Sequence, residues 1–173
     1  MTMIALVKRL PEPYRTKVQF YPGTSLMPMM RYVRPKLVEL TAKTATIRID
    51  VSRRIRNSYN SLFLGALAAG GDCVAGLFPM KFMFETGHRT IPIVKGVSSV
   101  YFKRITTYAH FTCTQGEEWC TVCNAVVASG ERQDFTVEVL VTAPAEFGDE
   151  VVARITQVMS VKNLNPKPAG NGA

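Results

Sequence analysis

The chain has no long block of like charge, no internal repeat and no uninterrupted apolar run at its N-terminus. Each absence narrows the reading. The net charge of +8 is spread along the sequence. Its densest group, Arg53-Arg54-Ile55-Arg56, reads as a solvated loop beside a strand end. With no RNA- or DNA-binding signature, a nucleic-acid partner is not expected. Lys8, Arg9, Pro11, Glu12 and Pro13 interrupt the start early, so no secretory signal is read there and a cytoplasmic location is expected. Charged residues make up only 20% of the chain and apolar ones 47%, which describes an ordinary globular protein. Its 173 residues suffice for one domain with a real core. A basic balance suits anionic partners, among them a phosphate-bearing cofactor such as coenzyme A.

Cysteine is sparse: Cys73, Cys113, Cys120 and Cys123. Trp119-Cys120-Thr-Val-Cys123 has the spacing of a thioredoxin-like redox pair. Glu117 and Glu118 precede it, however, and negative charge raises a thiol pKa. His110 and Cys113 would fall on opposite faces of a strand, which argues against a metal set with Cys120 and Cys123. Small core residues are the simpler reading for all four cysteines.

The most informative feature is a charge where none is expected. Asp72 sits inside Leu62–Leu77, a stretch with no other ionisable carboxylate or cation. The surroundings read as a buried helix, where a carboxylate loses hydration and its pKa rises towards the range useful to a general base. A hydrogen-bonded structural Asp is the bland alternative. Ser61, Gly65, Ala68, Ala69, Asp72 and Gly76 share one helical face, and all but Asp72 are small. The four glycines of this helix (Gly65, Gly70, Gly71, Gly76) each cost about 1 kcal/mol relative to Ala, so they imply a packing or functional reason. Asn60 or Ser61 is the expected N-cap. The first N–H groups, near Leu62 to Gly65, then form a site for developing negative charge. Asp72 lies about 10 Å further along the helix. Leu62–Phe84 is also long enough to span a membrane, but Asp72, Pro79, Lys81 and the glycines argue for a core helix and no membrane span.

Residues 1–34 hold four prolines and a Met-rich patch at Met27, Met29 and Met30, and read as short helices and turns packed on a main body. Alternation predicts strands at Ala45–Val51, Val97–Ile105, Thr107–Cys113, Phe135–Val141 and Val151–Val161. Leu37–Leu40 is either an early part of the first strand or its hairpin partner. Gln115–Ser129 reads as a helix closed by Gly130, and Pro144–Asp149 as a turn. The order predicts an α+β fold, one antiparallel sheet wrapped round a long central helix at about 61–84. A helix apolar on all sides needs cover beyond one sheet, so a dimer is expected. The domain assignment is residues 1–34 as an N-terminal segment, 35–162 as the main domain and 163–173 as a flexible tail.

The stretch Arg56-Asn57-Ser-Tyr-Asn-Ser-Leu-Phe-Leu-Gly65-Ala-Leu-Ala-Ala-Gly-Gly-Asp72 resembles the loop and central helix of hotdog-fold acyl-CoA thioesterases. The closer similarity is to a bacterial branch of that superfamily described as a domain of unknown function. Phe102-Lys103-Arg104, Gly130-Glu131-Arg132, Phe147-Gly148-Asp149-Glu150-Val-Val-Ala-Arg154 and Ser160-Val161-Lys162 agree with it, over roughly residues 30–162. The resemblance implies a hotdog fold and hydrolysis of an acyl-CoA or related acyl-carrier thioester, with Asp72 as general base or nucleophile. Gly65 would bind the thioester oxygen, and Asn57 or Asn60 would orient water or substrate. Ser61, Leu64, Phe102, Lys103 and Arg104 are the substrate-binding candidates, the last two towards coenzyme A phosphates from a strand. Phe63, Leu67, Phe78 and Met80 would shape an acyl tunnel. The His-Gly-Gly at the helix start of phenylacetyl-CoA-type thioesterases is here Phe63-Leu64-Gly65. No metal and no cofactor is expected, coenzyme A being part of the substrate, and self-association would give a dimer or tetramer. The competing expectation is a non-catalytic acyl- or lipid-binding protein with the same pocket.

Overall fold

A computed structural model describes residues 20–164. The elements run α1 (Pro28–Val33), β1 (Lys36–Leu40), β2 (Ala45–Asp50), α2 (Leu64–Ala75), α3 (Leu77–Thr86), β3 (Thr90–Tyr101), β4 (Tyr108–Cys113), α4 (Gly116–Ser129), β5 (Gln133–Thr142), α5 (Pro144–Phe147) and β6 (Val151–Asn163). Residues 20–25 are helical as well. The strands form one six-stranded sheet in the order β1-β2-β4-β5-β6-β3, antiparallel at every pairing. Leu37–Leu40 is thus the hairpin partner of the strand that follows it.

Period-two alternation builds the core. Ile47 and Ile49 of β2, Ala109 and Phe111 of β4, Val137, Val139 and Val141 of β5, and Ile155 and Met159 of β6 are all buried. The helix α2 lies across β2, β4 and β5, with α1 packed on it. Phe20, Met30 and Val33 are buried. Residues 1–19, and the expected tail from 165 onward, lie outside the described residues, while Asn163 still belongs to β6.

The central helical run spans Leu64–Thr86, starting later than expected and stepping at Gly76 between α2 and α3. The expected break at Pro79 falls three residues early for a physical reason. Proline offers no N–H to the carbonyl four residues back, and its ring clashes there. A restart at Gly76 puts Pro79 in the first turn of α3, where its missing N–H has no intrahelical partner to lose. The run is long and apolar enough to cross a membrane by composition alone, yet 61% of its most apolar window is buried against the rest of the chain. Core packing accounts for that apolarity.

Two boundaries differ further. The strand expected at Val97–Ile105 occupies Thr90–Tyr101, its alternation obscured by Pro92 and by a bulge between Val94 and Gly96. An edge strand tolerates such a proline, and β3 pairs with β6 alone. The turn expected from Pro144 contains one helical turn, α5, closed by Gly148 at φ 59°.

Candidate functional site

The start of α2 is held by the loop before it. Asn57 Oδ1 accepts hydrogen bonds from the Tyr59 N–H (3.0 Å), the Ser61 N–H (3.1 Å) and the Ser61 hydroxyl (3.1 Å). Asn60 sits in the left-handed region at φ 58°, a conformation Asn tolerates better than most residues. The Leu62 N–H then donates to the Ile105 carbonyl and the Phe63 N–H to the Ile55 carbonyl. The N-cap is therefore Phe63, with no side-chain cap, and not Asn60 or Ser61, whose loop is already closed on Asn57. The Phe63 carbonyl accepts from Ala66 and Leu67. Among the described residues, the N–H groups of Leu64 and Gly65 find no backbone acceptor.

Along the same helix face, Gly65, Ala68, Ala69 and Asp72 form one wall of a cavity of about 430 Å³. Met27, Met29 and Met30, at and before α1, form the second wall. Val94 and Val97 of β3 with Gln157 of β6 form the third. Asp72 is not buried in the single chain; its side chain reaches the cavity and solvent. Side chains too small to cover it leave the opening, which the apolar sequence around it does not reveal. The surrounding protein still crowds the carboxyl enough to raise its pKa above the ordinary value of 3.8, the cause being loss of hydration. Among the described residues, the Asp72 carboxylate makes no ion pair and no hydrogen bond. Within the described residues of the single chain, no hydrogen bond or ion pair marks it as the structural carboxylate of the bland reading.

Of the remaining candidates, none lines this cavity with Gly65 and Asp72. Leu64 lies at the helix start beside Gly65, with its side chain 57% exposed. Asn57 and Ser61 are spent on the loop, and Asn60 is exposed at its turn. Phe102, Lys103 and Arg104 follow the end of β3 in a loop, not on a strand as expected. Lys103 is engaged there, with Glu150 at 2.5 Å and the Phe147 ring at 4.6 Å, while Arg104 is exposed. Leu67 and Phe78 belong to the core, and the apolar walls are instead the methionines and the β3 valines.

Cys73, Cys113 and Cys123 are buried, as small core residues would be, but Cys120 is exposed on α4 and is not one. Cys120 and Cys123 lie in the second turn of α4, not at its N-terminus, where the first cysteine of a thioredoxin-like pair would sit. Burial pushes the Cys123 thiol up to about 11. Among the described residues, no group of three or more His, Cys, Asp or Glu could hold a metal ion.

Gln157 is the residue the sequence reading missed. Ala153, Ile155, Gln157, Met159 and Val161 share the buried face of β6, and Gln157 is the one polar side chain in that series. Its place in an otherwise clean alternation was the available signal.

An antiparallel sheet wrapped round a central helix, with the sequence order of strands broken by that helix, defines the hotdog fold. Residues 19–161 match the family described as Domain of unknown function (DUF4442), and the chain belongs to that family. Among solved structures, it is similar to a Pseudomonas aeruginosa protein described as a probable thioesterase (14% identity, 89% of this chain and 97% of that one, TM-score 0.70). It is also similar to a Chlorobaculum tepidum protein of unknown function (11%, 87% and 96%, TM-score 0.73) and to a Haemophilus influenzae thioesterase (9%, 85% and 92%, TM-score 0.63). At these identities the likeness establishes the fold. No curated protein matches the chain.

Proposed function

We propose that the protein is a thioesterase that hydrolyses an acyl thioester, with Asp72 as general base. The observation that carries this reading is a carboxyl group with no partner among the described residues, opening into an apolar cavity on the helix that begins with the N–H groups of Leu64 and Gly65, which find no backbone acceptor among those residues. The acyl group lies against Met27, Met29, Met30, Val94 and Val97. Asp72 takes a proton from water as its oxygen attacks the thioester carbon. The amides of Leu64 and Gly65 face the charge that develops on the carbonyl oxygen. The C–S bond then breaks, the thiolate takes the proton from Asp72, and the free thiol leaves with the carboxylic acid, which releases its own proton to solvent. Asn57 shapes the loop that presents those amides. The chemistry needs no cofactor. Structural relatives described as thioesterases support the reaction class, and the basic balance of the chain supports a phosphate-bearing carrier such as coenzyme A, for which Arg104 is an exposed cation.

A second copy of the chain completes the site in this reading. The edge strand β3 carries Ile91, Ile93, Val94, Val97 and Val100 at 38–54% exposure, and a long apolar edge is a template for pairing. Ile93→Lys with Val100→Lys is expected to convert a dimer to a monomer by light scattering. A wild-type chain that is monomeric at micromolar concentration would remove this part.

The test of the reaction is thiol release from acyl-CoAs of graded length, aliphatic and aromatic. Asp72→Asn is expected to lower turnover by about 10²–10⁴-fold. One observation favours a non-catalytic acyl binder instead: the helix starts Phe63-Leu64-Gly65, and the Phe63 ring would stand 3.0 Å from a Cβ built on Gly65. Folded wild-type protein that releases no thiol from any substrate, yet copurifies with an acyl ligand, establishes that reading.

A further inference from the structure

The cavity wall holds a second polar side chain with no task in the scheme above. Gln157 is 1% exposed, and its Oε1 has no hydrogen-bond partner among the described residues. Such an acceptor is costly in an apolar wall, and folds seldom keep one without use. The other orphan among the described residues, Trp119 Nε1, belongs to a ring packed edge-on against Phe135 and does not line the cavity. Gln157 does, in company with the methionines, Gly65, the alanines and the valines, whose side chains carry no hydrogen-bond donor.

Its placement relative to Asp72 follows from two contacts. A Cβ on Gly71 would stand 2.9 Å from Ile155 Cδ1, so α2 meets the Ile155 side chain of β6 at that point. Gln157 is the next residue on that face of β6, about 7 Å along the strand, and Asp72 is the next residue on the helix. Gln157 also pairs in register with Val97, its neighbour in the cavity wall. Helix and strand thus bring one carboxylate and one amide to the same apolar space.

We infer that Gln157 is a positioning residue, whose side-chain carbonyl holds the attacking water against Asp72. This rests on the thioesterase reading. Water has two O–H donors, and Asp72 and Gln157 Oε1 supply one acceptor each. With both donors held, a lone pair is left to point at the thioester carbon. In the reaction the C–O bond forms, the proton passes to Asp72, the C–S bond breaks and the proton returns to the thiolate. Gln157 neither gains nor loses a proton, and its amide stays neutral throughout.

The experiment compares wild type with Gln157→Met and Gln157→Glu. Methionine keeps the length and removes the acceptor, so the variant is expected to fold with an equal or higher Tm. Its kcat is expected to fall about 10- to 100-fold, with unchanged affinity for a non-hydrolysable ketone analogue of the best acyl-CoA. Glutamate keeps an acceptor but sets a second carboxylate beside Asp72. It is expected to retain more activity than methionine, with its pH–rate profile displaced to higher pH. Unchanged kcat in Gln157→Met overturns the inference, as does a loss carried wholly by weaker binding of the analogue. If the methionine variant does not fold, an unmoved profile in Gln157→Glu overturns it. Wild type with no turnover removes the thioesterase reading and this inference together, whereas an active wild type beside an equally active Gln157→Met removes this inference alone.

Discussion

The two faces of α2 use the same small residues for opposite purposes. Towards the sheet, Gly70 and Gly71 are glycine because no space is left. A Cβ on Gly70 would stand 2.6 Å from the Phe111 ring and 2.8 Å from Ile49 Cδ1, both fully buried side chains. Towards the cavity, Ala68 and Ala69 are small beside space that stays open, while Gly65 lies close under the Phe63 ring. One face brings the helix onto the sheet; the other keeps room for a ligand next to Asp72. Smallness in a sequence therefore has two meanings, and only the neighbours separate them.

The comparison breaks most completely at Asp72. If the open face is the working one, Asp72→Asn removes turnover by about 10²–10⁴-fold while the fold survives. A variant that unfolds would place Asp72 with the packed face instead. Next in size is the packed face itself. Gly70→Val drives two methyl groups towards Phe111 and Ile49, and overpacking of this kind costs about 1–3 kcal/mol. The upper end is expected because both neighbours are enclosed, and urea unfolding measures it. The matched change on the open face, Ala68→Met, is expected to stay within about 0.5 kcal/mol of wild type. It should instead fill the cavity and shift substrate preference to shorter acyl groups. Equal destabilisation by Gly70→Val and Ala68→Met would erase the distinction between the faces.

Much of this was legible in the sequence, and the gaps have physical causes. The strands β2, β4, β5 and β6 were readable because each buries alternate side chains on one face. The strand β3 was misplaced because Pro92 and the bulge before Gly96 interrupt its period, which only an edge strand tolerates. Asp72 stood out as a lone charge among apolar residues. Its exposure was not legible, because the cover it lacks depends on how α1 and β3 approach the helix. Asn57 and Ser61 were recognisable as polar residues near a helix start. That they satisfy one another, and leave Phe63 as the N-cap, follows only from how the loop folds. Gln157 was missed because one polar residue in a strand resembles an ordinary solvent-facing position until the parity of its neighbours is counted.

The smallest effect expected is a change in the pH dependence of stability, and it bears on the open face alone. Loss of hydration raises the Asp72 pKa in the folded chain above its ordinary 3.8. The folded state therefore holds the proton more tightly than the unfolded state. Stability from this group is fully present below pH 3.8 and is lost as pH rises through the higher folded value. Above that point the ionised carboxylate weakens the fold, with no cation among the described residues to offset it. Asparagine has the same shape and no charge. Asp72→Asn should accordingly match wild type near pH 3 and be the more stable chain at pH 7. The activity of wild type should rise with pH across the same interval, because only the ionised carboxylate accepts a proton from water. Urea unfolding at the two pH values reads the first expectation, and the acid limb of the pH–rate profile reads the second. An Asn variant that is less stable at pH 7 would mean that the Asp72 carboxylate is held by a stabilising partner. The cavity would then be a packed structural feature, like the sheet face of the same helix.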